Sequence, residues 1–262
     1  MKSVKISIIT VSFNAIETIN ETIESVLKQK DNDVEYIVVD GASTDGTLDV
    51  IKSYGTKIDK VISEPDNGIS DAFNKGIRHS SGDLIGIINS DDILYNDAID
   101  IVRRLYYDDP DIDILYGDME VFSDHVGTGR LVKANTDLEK LKYAFLMPHP
   151  GMFITRKAYN QYGLYDVNYK NAMDYELVSK MYIGGAKLKY TGKVLAAFRE
   201  GGVSQSAMGR TIKEHRTVAK RNGSGFIKRE IYLAYIYLRH IATPLLKQIG
   251  IEDTLHKIIK GY

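Results

Sequence analysis

Residues 4–53 read VKISIITVSFNAIETINETIESVLKQKDNDVEYIVVDGASTDGTLDVIKS. Short β-branched runs alternate here with amphipathic stretches, which is typical of a parallel sheet covered by helices. The alternation predicts strands over 4–11 and 35–39 and helices over 16–28 and 47–53. In such sheets ligands bind at the carboxyl ends of the strands, so the polar residues directly after each strand are the first candidates for a functional site.

The same pattern continues along the chain and then becomes irregular. It predicts strands over 58–63, 83–88 and 112–116 and helices over 71–79 and 97–107. Beyond residue 118 it predicts a strand pair over 119–122 and 129–132, a helix near 138–144, a strand over 152–155 and a helix over 175–183. The sequence therefore predicts an α/β protein.

Four consecutive predicted strands end in polar loops. The loops are Ser12-Phe13-Asn14, Asp40-Gly41-Ala42-Ser43, Glu64-Pro65-Asp66-Asn67 and Asn89-Ser90-Asp91-Asp92. Any one of them is also typical of a turn or a helix N-cap, because Ser, Asn and Asp favour both. Four such loops on one sheet edge favour a site for a polyhydroxylated, metal-chelated or phosphorylated ligand.

Two of these loops suit different parts of a nucleotide. Asp40 follows a buried strand, where a carboxylate can accept a hydrogen bond from the N3–H of uracil. Asp91 is a natural ligand for Mg²⁺ or Mn²⁺, which bind through one or two carboxylates together with phosphate oxygens. Asn89, two residues earlier, is in reach of the ribose or of a metal-bound water.

The four loops, taken in order and at this spacing, resemble the nucleotide-sugar half of the family 2 glycosyltransferases with a GT-A fold, of the bacterial surface-polysaccharide type. The motifs that carry the resemblance are SFN (12–14), VVDGASTDGT (38–47), EPDNGISDAFNKG (64–76) and INSDD (88–92). The resemblance implies a Rossmann-like, mostly parallel sheet with flanking helices, a small antiparallel element and a C-terminal helical extension. It places the transferase domain at 1–206, with a nucleotide-sugar half at 1–118 and an acceptor half at 119–206, followed by basic amphipathic helices at 207–262.

The resemblance also implies roles for single residues on the donor side. Asp40 matches the aspartate that contacts uracil, and Asp91 matches the acidic residue that chelates the metal. Asp92 is expected at the same metal site, behind Asp91. Asn89 stands where the family has its first DxD aspartate. The other residues matched to the donor are Ser12, Phe13, Asn14, Asp66, Asn67, Asn74, Lys75 and Ser90.

On the acceptor side, the stretch NAMDYEL (171–177) resembles the family's acidic motif at the start of a helix. This implies that Asp174 is the catalytic base, although N-capping the helix is an alternative role for it, and Met173 replaces the preceding acid. His149, in the turn 148–150, is either a metal ligand or a structural residue. The segment 201–206 resembles a loop that closes over donor phosphates, or is an ordinary loop.

Together these roles describe an inverting, Mn²⁺- or Mg²⁺-dependent enzyme. It would move a sugar from a UDP-sugar to a hydroxyl of a saccharide or polyprenyl-diphosphate-linked acceptor, in synthesis of a cell-surface glycan such as O-antigen or capsule. A nucleotide-sugar-binding scaffold without catalysis is one alternative, because Asn89 and Met173 depart from the family pattern. A metal-dependent nucleotidyltransferase is another, although it would usually carry a Gly-rich basic phosphate loop after the first strand. The GxGxxG and GxxxxGK[ST] motifs do not occur.

The charge of the chain is distributed unevenly. The 262 residues include 34 Lys and Arg against 35 Asp and Glu, and this net charge of −1 does not favour nucleic acid as a partner. Residues 210–262 hold eleven basic and four acidic residues, a net +7, so the preceding part carries −8. Apolar and aromatic residues at 232–238, between Lys228, Arg229 and Arg239, predict an amphipathic helix, and 245–259 predicts another. These helices would dock on an anionic membrane surface or form the arm of a homodimer.

Cysteine content and hydropathy limit the remaining possibilities. The chain has no Cys, which excludes disulfides, thiolate metal sites and cysteine nucleophiles. The first residues do not resemble a signal peptide, and no apolar run approaches the roughly 18 residues that span a bilayer. We therefore expect a cytoplasmic protein whose contact with the inner face of the cell membrane is at most peripheral.

Overall fold

The structure, a computed structural model, describes residues 4–123, 125–200 and 208–248, with side chains through residue 242. Its strands are β1 Ile6–Ser12, β2 Val34–Asp40, β3 Lys60–Ser63, β4 Leu84–Asn89, β5 Ile93–Leu94, β6 Ile114–Phe122, β7 Arg130–Val132, β8 Met152–Thr155 and β9 Leu188–Arg199. Its helices are α1 Ile19–Leu27, α2 Thr47–Ser53, α3 Ile69–His79, α4 Ala98–Asp108, α5 Arg156–Tyr162, α6 Met173–Ile183, α7 Met208–Arg221 and α8 Phe226–Gln248. Short 3₁₀ helices cover Gly55–Lys57, Leu138–Lys142 and His149–Gly151.

In the described part of the chain the strands form one mixed sheet, in the order β3-β2-β1-β4-β8-β6-β9-β5, with β7 paired to β6. The ladders joining β3, β2, β1 and β4 are parallel, as predicted. Beyond β4 the ladders are antiparallel except for β6 with β9. Every residue of β1 and β2 is buried, which explains their nearly continuous apolar sequences.

Alternate residues of the central strands supply two hydrophobic cores on opposite faces of the sheet. Ile9 and Val11 of β1 face a core that is covered by α3, α5 and α6. Ile6 and Ile8 face the other core, which is covered by α1, α2 and α4. Two-residue periodicity in the strands therefore explains how a single sheet carries helices on both sides.

Several predicted elements differ from the structure. The strands predicted over 112–116 and 119–122 are one strand, β6, which continues past Gly117 through an irregularity in its pairing with β9. The helix predicted over 138–144 is a 3₁₀ helix. Neither α5 nor β9 was predicted. Strand β9 is long, but no residue in its first half is buried, so its sequence lacks a strong apolar run there.

The C-terminal region contains two helices, α7 and α8, in its described part. Helix α8 runs through Pro244 to Gln248, so the helix predicted over 232–238 and the start of the one predicted over 245–259 belong to a single helix. The rest of the predicted second helix, 249–259, and the predicted loop 201–206 lie outside the described residues. No described helix is long and apolar enough to cross a membrane. The division of the chain at residue 206 stays a prediction, but α7 packs through Val218 and Ala219 onto α6.

Candidate active site

A cleft of about 710 Å³ opens at the carboxyl ends of β1 and β4, beside the loop that follows β3. It brings together seven of the predicted donor-side residues, namely Ser12, Phe13, Asn14, Asp66, Asn89, Ser90 and Asp91. The ends of parallel strands meet at this edge of the sheet, which is why residues nearly 80 positions apart in sequence share one cavity. The cleft is the candidate donor site.

The loop after β4 carries the acidic residue expected to hold a metal. Burial raises the pKa of Asp91, while the neighbouring Arg199 lowers it. The Asn89 Oδ1 atom is buried and has no hydrogen-bond partner, although its Nδ2 donates to Asp92 Oδ2 at 3.0 Å. A carboxylate and an unsatisfied amide oxygen two residues apart are hard ligands that fit Mg²⁺ or Mn²⁺.

These ligands alone would not complete a metal coordination sphere. Within the described ranges, no cluster of three or more His, Cys, Asp or Glu side chains is placed to bind a metal ion. A cation at Asp91 would therefore take its other ligands from phosphate oxygens and water, as Mg²⁺ usually does.

Asp92 has a different environment from Asp91. Its side chain is fully buried and accepts hydrogen bonds from Asn89 and from the backbone N–H of Arg199 at 3.2 Å. Burial, followed by the nearby charge of Asp91, raises the pKa of Asp92 to about 8. Asp92 thus ties the end of β4 to the end of β9, and metal ligation by it stays a prediction.

Asp40 is also fully buried, at the end of β2. Its carboxylate accepts hydrogen bonds from the hydroxyls of Ser12, Ser43 and Ser63 and from the backbone N–H of Ser43. It therefore holds together the loops that follow β1, β2 and β3. Contact between Asp40 and uracil stays a prediction, and in this conformation the side chain is occupied by these four donors.

Phe13 and Asp66 form the exposed wall of the cleft nearest to Asp40. The Phe13 ring is 64% exposed, and Asp66 Oδ1 accepts a hydrogen bond from the Gly68 N–H at 2.8 Å. A Cβ atom on Gly41 would lie 2.6 Å from Asp66 Oδ2 and 3.3 Å from the Phe13 ring, so a larger residue there would displace the Asp66 carboxylate. An exposed aromatic face beside a carboxylate suits a planar base that carries an N–H group.

Asn67, Asn74 and Lys75 lie around the cleft rather than in its lining. Asn74 is buried and forms two hydrogen bonds with the backbone of Tyr165, at 2.8 and 3.0 Å. Lys75 forms an ion pair with Glu64 at 3.0 Å, and the Asn67 carbonyl accepts from Lys170 Nζ at 2.6 Å. Lys75 thus ties α3 to the loop after β3, while Asn67 and Asn74 join that loop and α3 to the acceptor half. Direct contact with a nucleotide stays a prediction for each.

Asp174 lies in the first turn of α6, and its carboxylate makes no N-cap bond, so the alternative capping role is wrong. Asp174 Oδ1 lies 3.4 Å from His149 Nε2 and has no hydrogen-bond partner. The two side chains are 19% and 12% exposed, respectively. Burial raises the pKa of Asp174, and the nearby His149 acts in the opposite direction. A desolvated carboxylate without a donor is well suited to accept a proton.

His149 is held in place by aromatic neighbours. Its ring stacks on Phe73 with the centroids 5.2 Å apart, and its Nε2 lies 3.1 Å from the Tyr165 hydroxyl. Phe73 follows directly after Ala72, which lines the donor cleft, so α3 connects the two regions. These contacts place His149 beside the candidate base. Metal ligation by His149 stays a prediction, and the contacts do not support it.

The N-terminus of α6 is capped by a residue from a distant part of the chain. The Glu214 carboxylate, on α7, accepts hydrogen bonds from the backbone N–H groups of Lys170, Asn171 and Ala172 at 2.8 to 3.2 Å. An anion at this end of a helix also complements the helix dipole. Glu214 therefore fixes the backbone from which Asp174 projects.

Replacing Glu214 with Ala is expected to destabilise the protein by about 2 kcal/mol, because three backbone donors lose a charged acceptor. The melting temperature should fall by about 5 °C. Differential scanning fluorimetry measures this, with Lys213→Ala on the exposed side of the same helix as the control. An unchanged melting temperature for Glu214→Ala would show that the cap contributes nothing.

Sequence reasoning missed Arg199, which lies at the end of β9 and lines the donor cleft. Its Nε donates to the backbone carbonyl of Asp91 at 3.2 Å, and its guanidinium lies over the Phe122 ring at 4.6 Å. A second nitrogen of the guanidinium pairs with Glu21. The sequence did contain a signal for this residue. Arg199 directly follows the apolar run 194–198, just as polar residues follow the other strands. Arg199 is a cation that lines the donor cleft together with Asp91.

Comparison with solved structures supports the fold. S. aureus TarS 1–349 in complex with UDP-GlcNAc matches with a TM-score of 0.67 and 19% identity, covering 91% of this chain and 73% of that one. The mannosyltransferase PcManGT from Pyrobaculum calidifontis, in complex with GDP-Man and Mn²⁺, matches with a TM-score of 0.65 and 18% identity, covering 100% and 80%. The predicted GT-A fold is confirmed.

Sequence comparison supports the enzyme class. The PGL/p-HBAD biosynthesis glycosyltransferase of Mycobacterium bovis is 25% identical over 223 residues, which are 83% of this chain and 86% of that protein. The profile of glycosyl transferase family 2 matches residues 7–166. This range contains the loops that follow β1, β2, β3 and β4, and it also contains the turn with His149. The cleft and the match together lead to one assignment: the chain belongs to glycosyl transferase family 2.

Proposed function

We propose that the protein is an inverting, metal-dependent glycosyltransferase that uses a UDP-sugar. The observation that carries this proposal is the cleft that groups Asp91, Asn89, Arg199 and an exposed Phe13 at the end of the parallel strands. Phe13 and Asp66 would hold the base, and Arg199 would face the diphosphate. Binding of UDP-GlcNAc by TarS, within the same fold, favours a uridine nucleotide.

In the proposed reaction, Asp174 takes the proton of the acceptor hydroxyl. The hydroxyl oxygen forms a new bond to the anomeric carbon while the bond from that carbon to the diphosphate oxygen breaks, and UDP leaves. Attack from the face opposite UDP inverts the configuration. A single carboxylate suffices for this step if it lies within hydrogen-bond reach of the hydroxyl, and most of the remaining rate enhancement comes from positioning.

Asp91 and Asn89 would hold the metal ion. When bound, a divalent cation supplies Lewis-acid stabilisation of the negative charge on the departing diphosphate. Arg199 would add a fixed positive charge on the β9 side of the same cleft, where preorganised charge is most effective. The Mn²⁺ in the PcManGT complex supports this assignment by analogy of fold.

We further propose that the acceptor is a saccharide, either free or linked to a polyprenyl diphosphate, and that the product is a cell-surface glycan of the O-antigen or capsule type. The name of the M. bovis relative, PGL/p-HBAD biosynthesis glycosyltransferase, supports a role in biosynthesis. The protein would then act in the cytoplasm, in part at the inner face of the cell membrane. The basic C-terminal helices would serve either this peripheral contact or a homodimer.

The proposal predicts a pH dependence that involves His149. The unprotonated form of Asp174 is the base, so the rate should rise as pH increases through its raised pKa. The groups that face this carboxylate are His149, Tyr159 and Tyr165. His149 lowers the pKa of Asp174, so His149→Gln should move the acid limb of the kcat profile to higher pH. His79→Gln, at the exposed end of α3, is the control, and coincident acid limbs would show that His149 does not tune the base.

A donor screen tests the proposal as a whole. UDP-glucose, UDP-galactose, UDP-N-acetylhexosamines and GDP-mannose should be compared for Mn²⁺-dependent thermal stabilisation and for slow hydrolysis of the donor. We expect at least one UDP-sugar to give both. If no nucleotide sugar binds, the proposal fails; if one binds but is never hydrolysed or transferred to a saccharide, the scaffold alternative is correct.

A further inference from the structure

The outward face of α8 is a continuous apolar stripe. We define the α8 stripe as Ile227, Ile231, Ala234, Leu238 and Ile241. These residues are spaced by four, three, four and three positions, so they lie on one side of the helix. Ile227, Ile231, Leu238 and Ile241 are 72%, 65%, 63% and 44% exposed, respectively. A surface helix normally turns such a face toward the protein.

The opposite face of α8 already packs against the protein. Leu233 and Tyr232 are buried, and the Tyr232 hydroxyl bonds to the backbone N–H and carbonyl of Phe145 at 3.2 and 3.0 Å. Arg229 is also buried on this face. The helix is therefore anchored, and it cannot rotate to bury the α8 stripe without losing these contacts.

The charges on α8 are almost all positive. Its basic residues include Lys228 and Arg239, which are eleven positions, or about three turns, apart and so lie on the same flank of the α8 stripe. Its one acidic residue, Glu230, accepts hydrogen bonds from Arg216 and Arg229. An apolar stripe with a cationic flank is complementary to an anionic lipid surface.

A second copy of the chain fits this face less well. The α8 stripe is about 20 Å long on a helix about 10 Å wide, or roughly 200 Å². Stable dimers bury about 800 Å² on each partner. Antiparallel pairing of two such helices would also bring their cationic flanks onto the same side of the interface. Binding to a bilayer instead scales with the apolar area that is inserted, and the attraction of anionic lipids to the cationic flank adds to it.

We propose that α8 docks on an anionic phospholipid bilayer by inserting Ile227, Ile231, Leu238 and Ile241 below the headgroups. Helix α8 then lies in the plane of the surface, with Lys228 and Arg239 among the lipid phosphates. The docking proposal goes beyond the proposed transfer reaction because it names a membrane-binding surface and its residues. Vesicle binding is measured without donor or acceptor, so it is independent of that reaction. Failure of the docking proposal would leave the donor screen unaffected.

Vesicle co-sedimentation of the full chain tests the proposal. Vesicles of phosphatidylglycerol mixed with phosphatidylcholine are compared with vesicles of phosphatidylcholine alone, at low and high salt. The protein should partition mainly onto the anionic vesicles, and salt should weaken this binding. Leu238→Glu should lower the partition coefficient by about tenfold or more, because one buried Leu side chain is lost from the bilayer. Ile231→Glu should do the same.

Val61→Glu is the matched control, since it places the same charge on an exposed apolar position of the edge strand β3. It should bind vesicles as the unaltered protein does. Equal partition of Leu238→Glu and Val61→Glu, or no preference for anionic vesicles, would overturn the proposal. So would a dimer in light scattering that Leu238→Glu dissociates, which would identify a second copy as the occupant. A fall of several degrees in melting temperature for Leu238→Glu alone would show that the chain itself covers the stripe.

Discussion

Replacing Asp174 with Asn is expected to lower kcat for sugar transfer by about 10²–10⁴-fold, the usual contribution of a positioned general base. Asn has nearly the same shape and remains in the first turn of α6, but it cannot take the acceptor proton. The donor site is formed by other elements, so the affinity for UDP-sugar should stay unchanged. Single-turnover transfer measured beside donor-induced thermal stabilisation separates the two effects.

The control for Asp174 is Asp100→Asn, which removes a largely exposed carboxylate from α4. It should change neither rate nor binding. Transfer at the full rate by Asp174→Asn would show that another group is the base. A parallel loss of donor binding would mean that Asp174 belongs to the donor site.

Replacing Asp91 with Asn is expected to weaken Mn²⁺-dependent UDP binding by about a hundredfold or more, because a direct ligand should contribute at least as much as the groups that orient ligands. Asn keeps an oxygen at the same place but removes the negative charge that attracts the cation. Isothermal titration with UDP, with and without Mn²⁺, measures this. Removal of Mn²⁺ with a chelator should lower the affinity of the unaltered protein for UDP to the affinity of the Asp91→Asn variant.

Glu17→Gln is the matched control for Asp91, since Glu17 is an exposed carboxylate in the lining of the same cleft. We expect it to keep the metal dependence. Metal-independent UDP binding by the unaltered protein would contradict the assignment of Asp91. Equal losses in both variants would mean that the total negative charge of the cleft, rather than one ligand, attracts the cation.

The parallel half of the fold could be predicted because its strands are buried on both faces. Such strands have nearly continuous β-branched sequences, and the helix over 47–53 was predicted with its observed bounds. Strand β9 was not predictable in this way. No residue in its first half is buried, and that half pairs with β6 without an apolar run of its own.

The part of the candidate site that lies at the ends of strands could be predicted from the sequence. The loops after β1, β3 and β4 supply most of the cleft, as the sequence indicated. The burial of Asp40 was not predictable, because it depends on hydroxyl groups from the ends of β1 and β3 and from the loop after β2. Arg199 and Glu214 were also missed, since each meets its partners only through contacts between residues far apart in sequence.

The Glu214 cap has a consequence for the order in which the protein becomes competent during synthesis. The strands that form most of the donor cleft lie within the first 90 residues, and they can pair before the later helices emerge. The three backbone donors before Asp174 are satisfied by α7, which follows about 40 residues later in the chain. The backbone that carries Asp174, the proposed base, therefore has its full set of hydrogen bonds only after α7 has been synthesised.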